Sequence, residues 1–147
     1  MIETPYKLTI LLIDDDSIFQ FLTRKVLEAS GLTDEIIACS NGQEALQLLE
    51  TNICNKAALP DVIFLDINMP VMNGWAFLEA FKLIKPLLNK PVPLYVVSSS
   101  ADRADIQQAK EFDIVTDYLV KPIFQEQFKT ILLYVGNQKI SSTTISH

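Results

Sequence analysis

The stretch "KLTILLIDDDS", residues 7–17, decides the fold of this chain. Residues 8–13 of this stretch are apolar except for Thr9, and such a continuous apolar run predicts a strand that is buried on both faces. Three carboxylates and a serine follow directly, and the next basic residue is Arg24. Strands buried on both faces occur in parallel sheets covered by helices. The first question is why so much negative charge stands at the end of such a strand.

The rest of the chain alternates between apolar runs and segments of helical period. The predicted strands are "KLTILLI" (7–13), "DEIIAC" (34–39), "DVIFLD" (61–66), "PLYVVS" (93–98) and "DYLV" (117–120). The predicted helices lie at 17–29, at 41–50, between Gly74 and Pro86, at 102–112 and at about 125–135. Strict alternation of this kind predicts an α/β fold, with a doubly wound five-stranded parallel sheet and five helices.

Composition narrows the classes of function. A chain of 147 residues suits one domain, which we expect at residues 1–136, followed by a short polar C-terminal tail at 137–147. The net charge of −6 argues against a nucleic-acid partner. No apolar run reaches the roughly 18 residues of a membrane span, and "MIETPYK" lacks a signal-peptide pattern, so we expect a cytoplasmic protein with no membrane partner. The lone histidine, His147, is the last residue, so a histidine-based site is not expected.

Polar side chains stand at the ends of four predicted strands. They are Asp14 and Asp15 after the first strand, Asp66 at the end of the third, Ser98 to Ser100 at the end of the fourth, and Lys121 after the fifth. The carboxyl ends of parallel strands meet at one edge of the sheet, where such folds bind ligands. We therefore expect these residues to converge on one site.

The residue types in this set indicate a chemistry. Clustered carboxylates raise one another's pKa, and a divalent cation removes that conflict. Mg²⁺ prefers oxygen ligands, and a lysine offers a compact positive charge to a phosphate oxygen. An aspartate can itself be the nucleophile and form an aspartyl phosphate. The set therefore predicts a Mg²⁺-dependent phosphoryl-transfer site.

Four segments together, "ILLIDDD", "DVIFLDINMPVMNG", "LYVVSSS" and "DYLVKP", resemble in order and spacing the receiver domain of two-component response regulators. The resemblance covers about residues 7–135. It implies a CheY-like, flavodoxin-like fold with strand order 2-1-3-4-5 and a cis Lys121–Pro122 bond. It also implies a signalling function rather than an enzyme, in which a stand-alone receiver takes a phosphoryl group from a histidine kinase or a phosphotransfer protein.

The same resemblance implies a role for each residue of the site. Asp66 would be the phosphoacceptor. The metal ligands would be Asp14, Asp15, Asp66 and the backbone carbonyl of Asn68. Lys121 and Ser98 would contact the phosphoryl group, and Ser98 would form a switch with Tyr118, with Ser99 as the alternative hydroxyl. A downstream protein would bind the face made by the fourth helix, the fifth strand and the fifth helix.

Two other functions compete with this interpretation. Asp14 to Asp16 also read as D-x-D after a strand, which resembles the haloacid-dehalogenase-like phosphatases, with Asp14 as the nucleophile. A degenerate receiver could instead act as an adaptor that needs no phosphorylation. For Asp16 or Ser17, capping of the first helix is the preferred interpretation.

Overall fold

The computed structural model describes residues 7–69 and 72–145, with side chains up to residue 139. Two of the expectations above concern residues outside this part: the expected absence of a histidine-based site depends on His147, and the expected absence of a signal peptide depends on residues 1–6. The strands are β1 (Leu8–Ile13), β2 (Thr33–Cys39), β3 (Val62–Leu65), β4 (Leu94–Ser98) and β5 (Val115–Val120). The helices are α1 (Ser17–Ala29), α2 (Gly42–Thr51), α3 (Gly74–Ile84), α4 (Arg103–Lys110) and α5 (Gln125–Ile145), with short 3₁₀ turns at Lys56–Ala58 and Lys85–Leu87.

The five strands form one parallel sheet in the order β2-β1-β3-β4-β5. The predicted fold class and strand order are therefore confirmed. In this order β1 lies between β2 and β3, and the direction in which strands are added reverses beside it. Folds of this kind bind ligands outside the carboxyl ends of the strands at that reversal. A ligand-binding site is therefore expected at the carboxyl ends of β1 and β3.

Helices cover both faces of the sheet, which explains the continuous apolar run of β1. Every residue of this strand is buried. Leu11 and Ile13 pack into a core shared with α2, α3 and α4, whereas Ile10 and Leu12 pack into a second core shared with α1 and α5. Successive side chains of a strand point to opposite faces, so both sets of positions must be apolar. Among residues 7–69 and 72–145, none of the helices combines the length and the apolar character needed to cross a membrane.

The predicted end of the last helix, at about Val135, is wrong. α5 continues to Ile145, so residues 137–145 are helical. Gly136 costs a helix only about 1 kcal/mol relative to alanine and does not have to end it. Beyond the glycine, the ammonium of Lys139 lies 3.3 Å from Oδ1 of Asp61, which ties the extension to the amino edge of the sheet. The division of the chain at residue 136 into a domain and a tail stays a prediction.

A cavity of about 710 Å³ opens at the amino edge of the sheet. Its lining includes Thr9, Asp61, Lys90 and Lys139. The carboxylate of Asp61 accepts the Thr9 N–H at 2.8 Å and lies 3.1 Å from the Lys90 ammonium. Asp61 therefore pairs with lysines in a structural network at this edge of the sheet. The cavity lies at the edge opposite the strand ends that carry Asp14 and Asp66.

Candidate functional site

The acidic residues predicted to converge do so. One carboxylate oxygen from each of Asp14, Asp15 and Asp66 lies within 4.8 Å of the other two. Backbone hydrogen bonds fix this arrangement, because the Asp14 N–H donates to the carbonyl of Cys39 at 3.0 Å and the Asp66 N–H donates to that of Ile13 at 2.8 Å. The sheet ladder thus extends to the aspartates. Asp14 is 4% exposed and Asp66 is 6% exposed, whereas Asp15 lies at the surface.

Crowding of these carboxylates has an electrostatic consequence. Burial, and then the charge of Asp14, raise the pKa of Asp66 to about 6. The Lys121 ammonium and the Asn68 N–H, which donates to Oδ1 of Asp66 at 3.3 Å, lower that pKa but do not cancel the rise. A partly buried set of three carboxylates is therefore short of positive charge. Hard oxygen donors in such a cluster fit Mg²⁺, which relieves the repulsion between them.

Lys121 supplies the positive charge that the chain itself brings to the cluster. Its Nζ lies 2.9 Å from Oδ2 of Asp14, and its side chain is only 17% exposed. The backbone N–H of Lys121 donates to the carbonyl of Ser98 at 2.8 Å, which sets where the side chain starts. The Lys121–Pro122 bond is cis, as the resemblance implied. The ammonium also lies 4.0 Å from the centroid of the Phe19 ring.

Ser98 and Tyr118 meet at a shared residue, Ser100. Ser98 is fully buried at the end of β4, and its Oγ accepts the Ser100 N–H at 3.1 Å. The Tyr118 hydroxyl donates to the Ser100 carbonyl at 2.8 Å. The neighbouring Ser99, the alternative switch hydroxyl, is exposed. Of the two candidates, Ser98 is therefore the hydroxyl buried at the strand end beside the site.

The start of α1 is built around the acidic cluster. Asp16 caps this helix, because its carboxylate accepts the N–H groups of Ile18 at 3.0 Å and Phe19 at 3.1 Å. The capping interpretation of Asp16 is thus confirmed. Gln20, which sequence reasoning missed, donates its amide N–H to the carbonyls of Asp14 at 2.6 Å and Cys39 at 2.9 Å. This side chain joins the ends of β1 and β2.

Gly74 lets α3 begin against the backbone that follows Asp66. A Cβ at this position would lie 2.6 Å from the Cα of Ile67 and 2.7 Å from the carbonyl oxygen of Asp66. The Gly74 N–H donates to the Ile67 carbonyl at 2.8 Å. Any larger residue would push this segment away and shift Asp66. The glycine therefore serves the site through its close backbone approach.

This chain is similar in sequence to known proteins. A family model described as "Response regulator receiver domain" matches residues 10–133. The chain is 31% identical over 129 residues to the sensor histidine kinase CheAY of Helicobacter pylori, covering 88% of this chain but only 15% of that kinase. The chain thus spans a small part of that relative's length.

Two solved structures are similar to this chain over most of their own length. A two-component response regulator from Cytophaga hutchinsonii is 32% identical with a TM-score of 0.79, over 89% of this chain and 98% of that one. The phosphorylated cyanobacterial phytochrome response regulator RcpA is 27% identical with a TM-score of 0.71, over 92% of this chain and 96% of that one. The family model and the solved structures therefore both relate this chain to response regulators.

Proposed function

The chain belongs to the family of response regulator receiver domains, and from that premise we propose that it accepts a phosphoryl group on Asp66 in two-component signal transduction. The donor is a histidine kinase or a phosphotransfer protein in the cytoplasm. The observation that carries this proposal is the cluster of three carboxylates, with oxygens within 4.8 Å of one another, beside the Lys121 ammonium. Phosphoryl transfer depends mostly on positioning and on neutralisation of charge, and a carboxylate nucleophile beside a lysine, with further carboxylates that could hold Mg²⁺, suits both needs.

Asp66 supplies the nucleophile. One carboxylate oxygen attacks the phosphorus of a phosphohistidine, the phosphorus–nitrogen bond breaks, and the imidazole leaves with the electron pair and takes up a proton from water. A pKa of about 6 leaves the Asp66 carboxylate largely ionised at neutral pH. Mg²⁺, when bound, neutralises charge on the phosphoryl oxygens. The residues that would hold it are Asp14, Asp15, Asp66 and the backbone carbonyl of Asn68.

The phosphoryl group acts on the switch through Ser98. A phosphorylated carboxylate brings about −1.5 to −2 charge units and three acceptor oxygens. The Ser98 hydroxyl donates to one of these oxygens, and the loop through Ser100 and the ring of Tyr118 follow it. A hydrogen bond to a charged group is worth about 1–3 kcal/mol, enough to shift a two-state equilibrium roughly ten- to a hundredfold. The face made by α4, β5 and α5 then binds a downstream protein.

The two competing functions have less support. In the phosphatase interpretation Asp14 would be the nucleophile, yet one oxygen of its carboxylate pairs with the Lys121 ammonium at 2.9 Å. Asp16, the second acid of that motif, caps α1. The adaptor interpretation would not require the acids, the hydroxyl and the lysine, and all of them are present at one sheet edge. These contacts favour the phosphoacceptor.

Incubation with acetyl phosphate and Mg²⁺, followed by intact mass and peptide mapping, tests the proposal. We expect one phosphoryl group, on Asp66, and none in Asp66→Asn, which keeps the shape of the side chain but not its nucleophilicity. The position of the label separates the phosphatase interpretation, in which the phosphoryl group sits on residue 14. Labelling of Asp14, or undiminished labelling of Asp66→Asn at residue 66, contradicts the assignment, and an unlabelled wild type favours the adaptor.

A further inference from the structure

The ammonium of Lys121 rests against an aromatic ring as well as against a carboxylate. Its Nζ lies 4.0 Å from the centroid of Phe19 and 2.9 Å from Oδ2 of Asp14. We infer that Phe19 is a positioning residue, whose ring holds the Lys121 ammonium beside Asp66 for the phosphoryl group. This inference rests on the function proposed above.

The Phe19 contact differs from the other lysine–ring pairs of the described residues. In those pairs the ammonium lies farther from the ring centroid, at 5.3 Å for Lys25 and Phe21, 5.8 Å for Lys82 and Phe112, and 5.9 Å for Lys85 and Phe81. The Lys121 side chain is only 17% exposed, whereas that of Lys82 is 52% exposed and Lys25 lies at the surface. Cation–π attraction is stronger where the ammonium is removed from water. The Phe19 contact is therefore the shortest of the four, and its ammonium is better shielded from water than those of Lys25 and Lys82.

Contacts other than the one with Lys121 hold the Phe19 ring in its position. Phe19 lies in the first turn of α1, and its N–H is bound by the capping carboxylate of Asp16 at 3.1 Å. Its side chain packs against the core shared with α1 and α5. It also borders a small space together with Asp14, Asp66 and Phe128. The ring thus reaches the site from a packed core rather than from a loop.

A fixed ring matters because lysine is flexible. Its ammonium is a compact charge with three donors on a four-carbon stem, and ordering that stem costs entropy. One N–H donates to Asp14, and the Phe19 ring excludes water from another side. A donor remains for a phosphoryl oxygen on Asp66, whose carboxylate lies within 4.8 Å of that of Asp14. Without the ring, the ammonium spends less time in this place.

A graded set of substitutions tests the inference in the full chain. Phe19→Leu keeps an apolar side chain but removes the ring, Phe19→Tyr restores a ring, and Phe21→Leu removes the other aromatic residue of α1. We measure the rate of Asp66 phosphorylation by acetyl phosphate, a small donor that needs no docking surface. We expect Phe19→Leu to be about 2- to 30-fold slower, the change that a contact of ~0.5–2 kcal/mol gives at 1.36 kcal/mol per tenfold. Phe19→Tyr and Phe21→Leu stay near the wild-type rate.

A second measurement reports the contact directly in the unphosphorylated protein. The ring current of Phe19 shifts the ε-methylene proton resonances of Lys121 upfield. In Phe19→Leu these resonances move to the positions of exposed lysines, and in Phe19→Tyr they return. A thermal unfolding curve identifies any variant that does not fold. If Phe19→Leu does not fold, the wild-type spectrum decides, because Lys121 resonances at the positions of exposed lysines would contradict the contact with the Phe19 ring.

Three results overturn the inference: a wild-type rate in folded Phe19→Leu, equal slowing in Phe21→Leu, or Lys121 resonances that do not move in Phe19→Leu. If the wild type itself takes no phosphate, the proposed function fails. The Lys121 resonances then still decide whether Phe19 positions the ammonium.

Discussion

At the scale of single residues, the ionised carboxylate of Asp66 destabilises the folded chain. Its pKa of about 6 in the folded chain exceeds the ordinary value of 3.8, so the folded state binds this proton more tightly than the unfolded state does. Ionised Asp66 therefore lowers stability, fully above pH 6 and not at all below about pH 4. In metal-free buffer we expect Asp66→Asn to raise the free energy of unfolding at pH 8, by up to about 3 kcal/mol, and to change it little at pH 4.

Urea unfolding at both pH values, with a chelator present, measures this difference. Asp15→Asn is the control, because Asp15 is exposed and contributes least to the raised pKa of Asp66. Added Mg²⁺ should stabilise the wild type more than Asp66→Asn, because a ligand stabilises the state that binds it. Equal effects of Asp66→Asn at pH 4 and pH 8 would show that this carboxylate is not strained by burial and charge.

Residue types and spacing predicted the acids, the hydroxyl and the lysine of the site because all of them stand directly at strand ends. Phe19 and Gln20 could not be predicted in this way. Each is an ordinary residue of the first turn of α1, and its role depends on where the side chain points once the helix is capped. The contact of Phe19 with Lys121 joins residues 102 positions apart, and no sequence spacing encodes it.

At the scale of elements, the end of β4 links the site to the face made by α4, β5 and α5. Ser98→Ala removes the hydroxyl and leaves Asp66 unchanged, so we expect phosphorylation without switching. Backbone NMR with Mg²⁺ and a beryllofluoride phosphate mimic checks this in wild type and variant. Wild-type shifts should spread from Asp66 to α4, β5 and the start of α5, and in Ser98→Ala they should stay near Asp66. A full set of shifts in the variant would exclude Ser98 as the switch.

Element type and order followed from apolar periodicity, and element ends did not. β5 begins at Val115, two residues before the predicted Asp117, and α4 covers Arg103–Lys110 within the predicted 102–112. The predicted end of α5, at about Val135 just before Gly136, lies ten residues before the observed end at Ile145. Tertiary contacts decide such boundaries, and here Lys139 reaches Asp61 from beyond that glycine.

At the scale of the whole molecule, Asp61 joins distant parts of the chain at the edge opposite the site. Its buried carboxylate accepts the Thr9 N–H and lies 3.1 Å from the Lys90 ammonium and 3.3 Å from that of Lys139. Asp61→Ala removes the acceptor of the Thr9 N–H and the carboxylate beside Lys90, whose ammonium keeps its bonds to the carbonyls of Lys56 and Leu59. Because breaking a buried ion pair costs roughly 3–5 kcal/mol, we expect a loss of this size in urea unfolding.

Glu79→Ala is the matched control for Asp61→Ala. Glu79 pairs with Lys82 at 3.2 Å, but its side chain is 62% exposed. An exposed pair contributes about 1 kcal/mol or less. If Asp61→Ala loses no more stability than Glu79→Ala, the network at the amino edge does not hold the molecule together.

The meeting of Ser98 and Tyr118 at Ser100 has a consequence for how this domain can diverge. Both hydroxyls bind the peptide groups of Ser100, the N–H at 3.1 Å and the carbonyl at 2.8 Å, whereas its own Oγ binds Asp105 at 2.7 Å. In the proposed switch, the coupling between Ser98 and Tyr118 thus runs through backbone atoms that nearly every amino acid possesses. We therefore expect substitutions at position 100 to change the start of α4, through the loss of the bond to Asp105, while leaving this proposed coupling in place. Proline, which lacks the N–H, is the one substitution that removes the Ser98 bond outright.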